Sequence, residues 1–288
     1  MKISDIIATR KTGFSFEFFP PKNDKGFDDL YKAVERLKQL DPLFVSVTYG
    51  AGGGTRKKTI DITAKIKHEI GIESMAHMTC VGADREEIDR VLSEIRDKGI
   101  ENILALRGDP PKGEKVFTRR EGGFGYANEL VAFIHQRYDF CIGVAGYPEG
   151  HPECPDLKVD MDNLKRKVDE GGEFIITQLF FDNNVFFDFV DRAVKAGIKV
   201  PIIPGIMPVL TLGQVQRIAD MCGASIPHNL MKRLAALQDS DEATESYGIT
   251  HATGQCEELI ENGVPLIHLY TLNRSHATWE ILKNLGKT

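Results

Sequence analysis

No two cysteines in this chain are spaced as a redox or metal motif. The five, Cys80, Cys141, Cys154, Cys222 and Cys256, are odd in number and far apart. That argues against a disulfide framework or a paired-ligand zinc site, and it fits a reduced, cytoplasmic protein. His151 and Cys154 share the turn "YPEGHPECP", but two ligand-type residues fall short of the four that structural zinc uses, so no metal is expected. Positive charge is also short: 36 Lys and Arg face 42 Asp and Glu, for a net charge of −6. No block of like charge gathers into the basic face that nucleic acid or an anionic membrane would need. Apolar runs such as "HEIGIESM" and "LKQLDPLF" are too short and interrupted to span a bilayer. The opening "MKISDIIATR" has no apolar h-region, so secretion is not expected. No G-x-G-x-x-G follows a strand, "GDPPKGEK" lacks the Gly-Lys-Ser/Thr end of a P-loop, and no G-x-S-x-G elbow occurs. A Rossmann-bound nicotinamide, a P-loop nucleotide and a serine hydrolase are all disfavoured.

What the sequence has is alternation. At 288 residues, with 42% hydrophobic and 27% charged residues, it has the composition of a soluble globular protein with a sizeable core. Strand-like runs, "FSFEFF", "LFVSVTYG", "SMAHMTC", "NILALRGD", "FCIGVAGYP", "FIITQLFFD", "VPIIPGIMP" and "LIHLYTLNR", are separated by segments of helical period. In "GFDDLYKAVERLKQL", Phe27, Leu30, Tyr31, Val34 and Leu37 form one apolar stripe. In "DREEIDRVLSEIRDKG", Asp84 reads as the N-cap and Gly99 as the stop. Polar residues interrupt the strands near their C-terminal ends: Glu17, Thr48, His77 and Asp109 are 31, 29 and 32 positions apart, and Tyr147 and Gln178 are 31 apart. About 30 residues is the size of one βα unit. Eight such units predict a (β/α)8 TIM-type barrel with its site at the C-terminal strand ends. An open doubly wound sheet has the same alternation, but it concentrates its polar positions at one switch point. The segment from Thr211 to Gly263 predicts extra helices in the C-terminal third, and with no linker in sight residues 1–288 read as a single barrel domain.

"GFSFEFFPPK" sets one carboxylate among four phenylalanines. Side chains alternate along a strand, so Phe14, Phe16 and Phe18 face the outer helices and Glu17 faces the barrel interior near its mouth. A buried carboxylate either finds a cation or stays protonated. The first would make Glu17 structural; the second would make it a general acid. Along the same rim, "LALRGDPP" sets Arg107 and Asp109 around Gly108, as a local ion pair or as a site. "NLKRKVDEGGEF" offers Asn163, Arg166 and Lys167, as a solvated face or a phosphate cradle.

In order and spacing, "SFEFFPPK", "SVTYGAGG", "HMTC", "LRGDPP", "YPEGHPE", "NLKRKVDEG", "ITQLFFD", "IPGIMPV" and "LYTLNR" resemble the methylenetetrahydrofolate reductase family, in its bacterial form with a catalytic domain only. The resemblance runs from about Phe14 to Arg274. It implies a (β/α)8 flavoprotein, a homo-oligomer without a regulatory domain, that reduces 5,10-methylenetetrahydrofolate to 5-methyltetrahydrofolate with NAD(P)H. FAD is the implied cofactor, in a ping-pong cycle that supplies methyl groups for methionine synthesis. Glu17 then matches the acid that opens the folate's five-membered ring, kept neutral by its surroundings. Asp109 matches a carboxylate, held ionised, near both the pterin and the flavin. Gln178, Gln214 and Arg274 match folate contacts. Thr48, His77, Arg107, Gly108, Tyr126, Ala127, Tyr147, His151, Asp160, Asn163, Arg166 and Lys167 match FAD contacts, alongside Asp109.

The chain departs from the family at Ile218, where better-known members carry a phenylalanine that packs on the substrate. An aromatic stack contributes about 0.5–1.5 kcal/mol beyond area burial. The electron donor is therefore open between NADH, NADPH and a redox partner such as an iron–sulfur protein or ferredoxin. A flavin or folate carrier without turnover, and a flavin-free pterin methyltransferase barrel, are the remaining alternatives.

Overall fold

The computed structural model describes residues 1–10, 12–49, 56–110, 113 and 117–287. Eight parallel strands close into a barrel in sequence order: β1 (Gly13–Phe18), β2 (Phe44–Val47), β3 (Ser74–Thr79), β4 (Asn102–Leu106), β5 (Cys141–Gly146), β6 (Phe174–Leu179), β7 (Ile202–Ile206) and β8 (Leu266–Tyr270). Each of the eight predicted runs supplies one strand, and the open-sheet alternative is excluded. The helices are α1 (Ile3–Thr9), α2 (Asp24–Lys38), α3 (Arg56–Lys65), α4 (Arg85–Asp97), α5 (Ala127–Arg137), α6 (Leu157–Asp169), α7 (Asn183–Lys195), α8 (Leu212–Cys222), α9 (His228–Leu237), α10 (Asp241–Glu261) and α11 (Ser275–Asn284).

The helices form where the sequence places stripes and caps. In α2, Leu30, Val34 and Leu37 are buried and Phe27 and Tyr31 pack partly beside them, while Asn23 caps the first turn by accepting from the Gly26 N–H. Asp84 caps α4 by accepting from the Glu87 N–H, and Gly99 follows it with a positive φ of 69°. The extra C-terminal helices are α8, α9 and α10. Helix α10 lies so close to the segment after β7 that a Cβ on Gly248 would fall on the Val209 carbonyl oxygen.

Alternation along the strands sorts the barrel into an outer shell and two inner zones. Phe14, Phe16 and Phe18 pack outward with residues of α2, α10 and α11. Inside, toward the N-terminal end, Phe44, Met75, Leu104, Cys141, Phe174, Ile203 and Leu266 form an apolar plug closed by Ile3 and Ile6 of α1. Gly143 makes room for that plug, since a Cβ there would meet the Phe174 ring at 2.7 Å. Toward the C-terminal end the inward positions turn polar: Ser15 and Glu17, Ser46, His77 and His268.

Candidate active site

Glu17 is inward-facing, as strand alternation predicts, and its side chain is 17% exposed. Its Oε2 lies 3.4 Å from His77 Nε2 on β3 and 3.5 Å from His268 Nε2 on β8. The Ser46 hydroxyl on β2 donates to the same oxygen at 3.4 Å. His268 is fully buried: Ser15 Oγ lies 2.7 Å from its Nδ1, Ser46 Oγ 3.4 Å from its Nε2, and its ring stacks on Phe44 with centroids 5.9 Å apart. Burial alone pushes the Glu17 carboxyl up. The imidazoles of His77 and His268 outweigh it and hold the group down at about 2. These surroundings run against a glutamic acid kept neutral by burial. Two imidazoles at inward positions on β3 and β8 favour its carboxylate form.

The backbone of Glu17 is held from the far end of the chain. β1 closes the barrel against β8, with Glu17 opposite Tyr270. Past β8, the Thr271 hydroxyl donates to the Glu17 carbonyl at 2.6 Å. The Asn273 amide donates to the Phe19 carbonyl at 2.7 Å and its oxygen accepts from the Phe19 N–H at 2.9 Å. Leu272 and Asn273 both take left-handed φ values, 54° and 58°. A leucine held there is strained, a condition that persists only where surrounding contacts over-determine it.

The rim over β4 to β6 gathers one group of the predicted residues. Arg107 does not pair with Asp109; its guanidinium forms two bonds to Glu153, at 2.6 and 2.7 Å. Gly108 has a φ of 88°, and a Cβ there would meet Val81 at 2.8 Å and Thr79 at 3.0 Å. Tyr147 packs edge-on to His151 at 4.6 Å. Burial pushes the Tyr147 phenol far up, and burial with the nearby Arg107 charge lowers His151. Lys167 donates to the Ala145 carbonyl at 2.5 Å, and burial drops its ammonium to about 8 despite the Asp160 carboxylate. Asp160 is itself raised by burial. Asn163, Arg166 and Tyr126 are exposed, Ala127 opens α5, and Thr48 stands half-buried just past β2. The glycine-rich stretch Gly50 to Thr55 lies outside the described residues.

Over β6 to β8 the second group is looser. The β6–β7 register shifts between Ile176 and Leu179, and the Tyr270 hydroxyl reaches the Thr177 carbonyl there at 2.7 Å. Bulges recur beside active sites because they re-aim neighbouring side chains. Gly205 allows this one: a Cβ there would lie 2.4 Å from Thr177 O and 2.7 Å from the Tyr270 ring. Gln178 lines a small cavity with Tyr147, Leu179 and Cys222, and the charge of Asp109 reaches both Tyr147 and Cys222. Gln214 and Ile218 sit half-buried on α8, with Ile218 packed beside a core cluster that includes Leu230 and Leu234. Asp109 and Arg274 are exposed.

His268, Ser15 and Glu153 were missed in the sequence reading. The signal for His268 was present: an ionisable residue at an inward position of an otherwise apolar strand, as with Glu17.

The mouth offers donors and positive charge to a ligand. The buried Thr79 hydroxyl has no hydrogen-bond partner, and half-buried Lys167 gives its ammonium hydrogen bond to a backbone carbonyl. Such groups need a ligand with acceptors and negative charge.

Fold and site define a (β/α)8 barrel protein with an ionisable, cation-lined mouth at the C-terminal strand ends. Comparison with known proteins narrows the class. Residues 2–286 match the family model for methylenetetrahydrofolate reductase. The chain is 41% identical over 272 residues to 5,10-methylenetetrahydrofolate reductase of Escherichia coli, covering 94% of this chain and 90% of that one. It is 42% identical to methylenetetrahydrofolate reductase (NADH) 1 of Arabidopsis thaliana, covering 99% of this chain and 50% of that one. The chain therefore spans about half the length of the plant and yeast relatives it matches. A Clostridium thermocellum protein that binds two copies of 5-methyl-5,6,7,8-tetrahydrofolic acid superposes with a TM-score of 0.66 at 16% identity, over 97% of this chain and 95% of that one. At that identity the likeness shows the fold alone. The chain belongs to the methylenetetrahydrofolate reductase family.

Proposed function

We propose that this chain reduces 5,10-methylenetetrahydrofolate to 5-methyltetrahydrofolate with electrons from NAD(P)H, using FAD, and so supplies methyl groups for methionine synthesis. The observation that carries the reading is Glu17, an inward carboxylate held by two imidazoles at the mouth of a barrel of this family. Relatives named as NADH enzymes favour a nucleotide donor over a partner iron–sulfur protein or ferredoxin. Bound flavin would supply the two-electron chemistry, taking hydride from the nucleotide and passing it to the folate.

The chain's own residues supply position, charge and a proton. Lys167 and Arg107, with Asn163 and Arg166 nearby, suit the pyrophosphate, and Tyr147, His151, Thr48 and His77 suit the rest of the cofactor. Gln178, Gln214 and Arg274 suit the folate, the arginine its glutamate tail. Glu17 serves N10 of the folate: protonation there opens the five-membered ring to an iminium at N5. Because its carboxyl is held at about 2, Glu17 must gain a proton before delivering one. Asp109 offers negative charge to the cationic pterin. We infer one catalytic barrel domain, working in the cytoplasm as a homo-oligomer.

Stopped-flow measurement of the two half-reactions tests the reading. Glu17→Gln should slow folate reduction by about 10²–10⁴-fold, the usual worth of a general acid, and leave flavin reduction by NADH nearly unchanged. Equal slowing of both halves would refute the assignment.

A further inference from the structure

His77 and His268 both approach Glu17, but they are not equivalent. His268 is fully buried and both its ring nitrogens are shared with serine hydroxyls, Ser15 at Nδ1 and Ser46 at Nε2. Its ring is further fixed by Phe44 on one face and by Tyr270 edge-on at 5.5 Å. His77 is 6% exposed, and its Nε2, with no hydrogen-bond partner of good geometry, has the Glu17 carboxylate at 3.4 Å. Its neighbour in register on β4 is Leu104, which offers no charge. The proton equilibrium of Glu17 is thus open to His77 in a way that His268, locked in a serine network, does not match.

We propose that His77 is a positioning residue that sets the ionisation of Glu17, keeping it a carboxylate so that the acid form arises only when a proton is drawn in during folate turnover. Its bearing on turnover rests on the proposed function; its bearing on Glu17 does not. Among the described residues, the ionic partners of Glu17 are His77 on β3 and His268 on β8, and no Lys or Arg ion-pairs with it. Tyr270, also on β8, feels the Glu17 charge, which together with burial drives its phenol upward. The His77 imidazole, 3.4 Å from the Glu17 carboxylate, opposes the burial that would otherwise protonate the acid. An amide at position 77 keeps polarity and cannot take up the proton that an imidazole can.

The test reads the side-chain carboxyl of Glu17 by ¹³C NMR in flavin-loaded protein labelled at glutamate Cδ, with Glu17→Gln used to assign the resonance. In the wild type it should hold the carboxylate shift between about pH 4 and pH 8. In His77→Asn and His77→Gln the midpoint should rise into that window, protonation becoming roughly tenfold or more easier. The alkaline limb of the folate half-reaction should move upward with it. A wild-type resonance that titrates above about pH 5, or variants that track the wild type, would overturn the proposal; the wild-type arm decides even if neither variant folds. A shifted resonance with an unmoved kinetic limb would uphold the role of His77 and strike down Glu17 as the acid.

Discussion

The two ends of this barrel treat polar groups in opposite ways. At the N-terminal end they are paired off. Buried Asn102 accepts from the Ile3 N–H at 2.8 Å and donates to Met1 O, Glu73 Oε1 and Ser74 O. Around it Lys67 bridges Glu73 and Glu101 at 2.9 and 2.7 Å, and the Met1 ammonium joins the same two carboxylates. At the C-terminal end, Thr79 Oγ1 is left over, Lys167 has a backbone oxygen in place of a carboxylate, and Arg107 leans on exposed Glu153. Satisfied buried groups stabilise a fold; unsatisfied ones are a cost borne where a ligand will meet them. One end is built for stability and the other for binding.

Breaking that contrast should give separable effects. The largest is expected at the sealed end: Asn102→Ala strands several buried groups and should lower the unfolding free energy by about 2–4 kcal/mol in urea melts, with both half-reactions unchanged per folded molecule. At the open end, Lys167→Met should weaken FAD binding by about 10–100-fold, the loss of one charge-assisted contact, with little change in the melts. Flavin fluorescence titrations would read it. The pH dependence has a definite sign. With its ammonium at about 8, Lys167 is charged at pH 7 and loses its proton as pH rises through 8. Affinity for the anionic cofactor should therefore fall toward higher pH, by up to roughly tenfold per pH unit, and the Met variant should not show that slope. The smallest effect is expected from Glu153→Gln, which frees Arg107. An exposed ion pair contributes about 0.2–1 kcal/mol, so FAD should bind a few-fold tighter. Weaker binding would mean that Glu153 instead holds Arg107 in place for the ligand.

Most of the scaffold was legible in the sequence because its determinants are local. Apolar runs marked eight strands, the stripe from Phe27 to Leu37 marked α2, and the phenylalanines around Glu17 assigned it to the interior. What escaped depends on neighbours distant in sequence. Ser15 and His268 are 253 positions apart, and only closure of β1 onto β8 makes them partners. The surroundings of Glu17 were hidden for the same reason, since the imidazoles beside it lie on β3 and β8. Arg107 was weighed against adjacent Asp109, while its partner came from a proline-rich turn 46 residues on. The helices between Thr211 and Gly263 were visible as periodicity, but their seat required Gly248 against Val209, a contact without a local signature.

The seam between the first and last strands has a consequence for how the molecule comes into being. Glu17 leaves the ribosome well before Thr271, which follows it by 254 positions, and before His268 and Asn273, which with Thr271 secure it. A nascent chain can fold several βα units and still have Glu17 on a free edge. The surroundings of Glu17 should thus be completed in one step, when the closing strand docks.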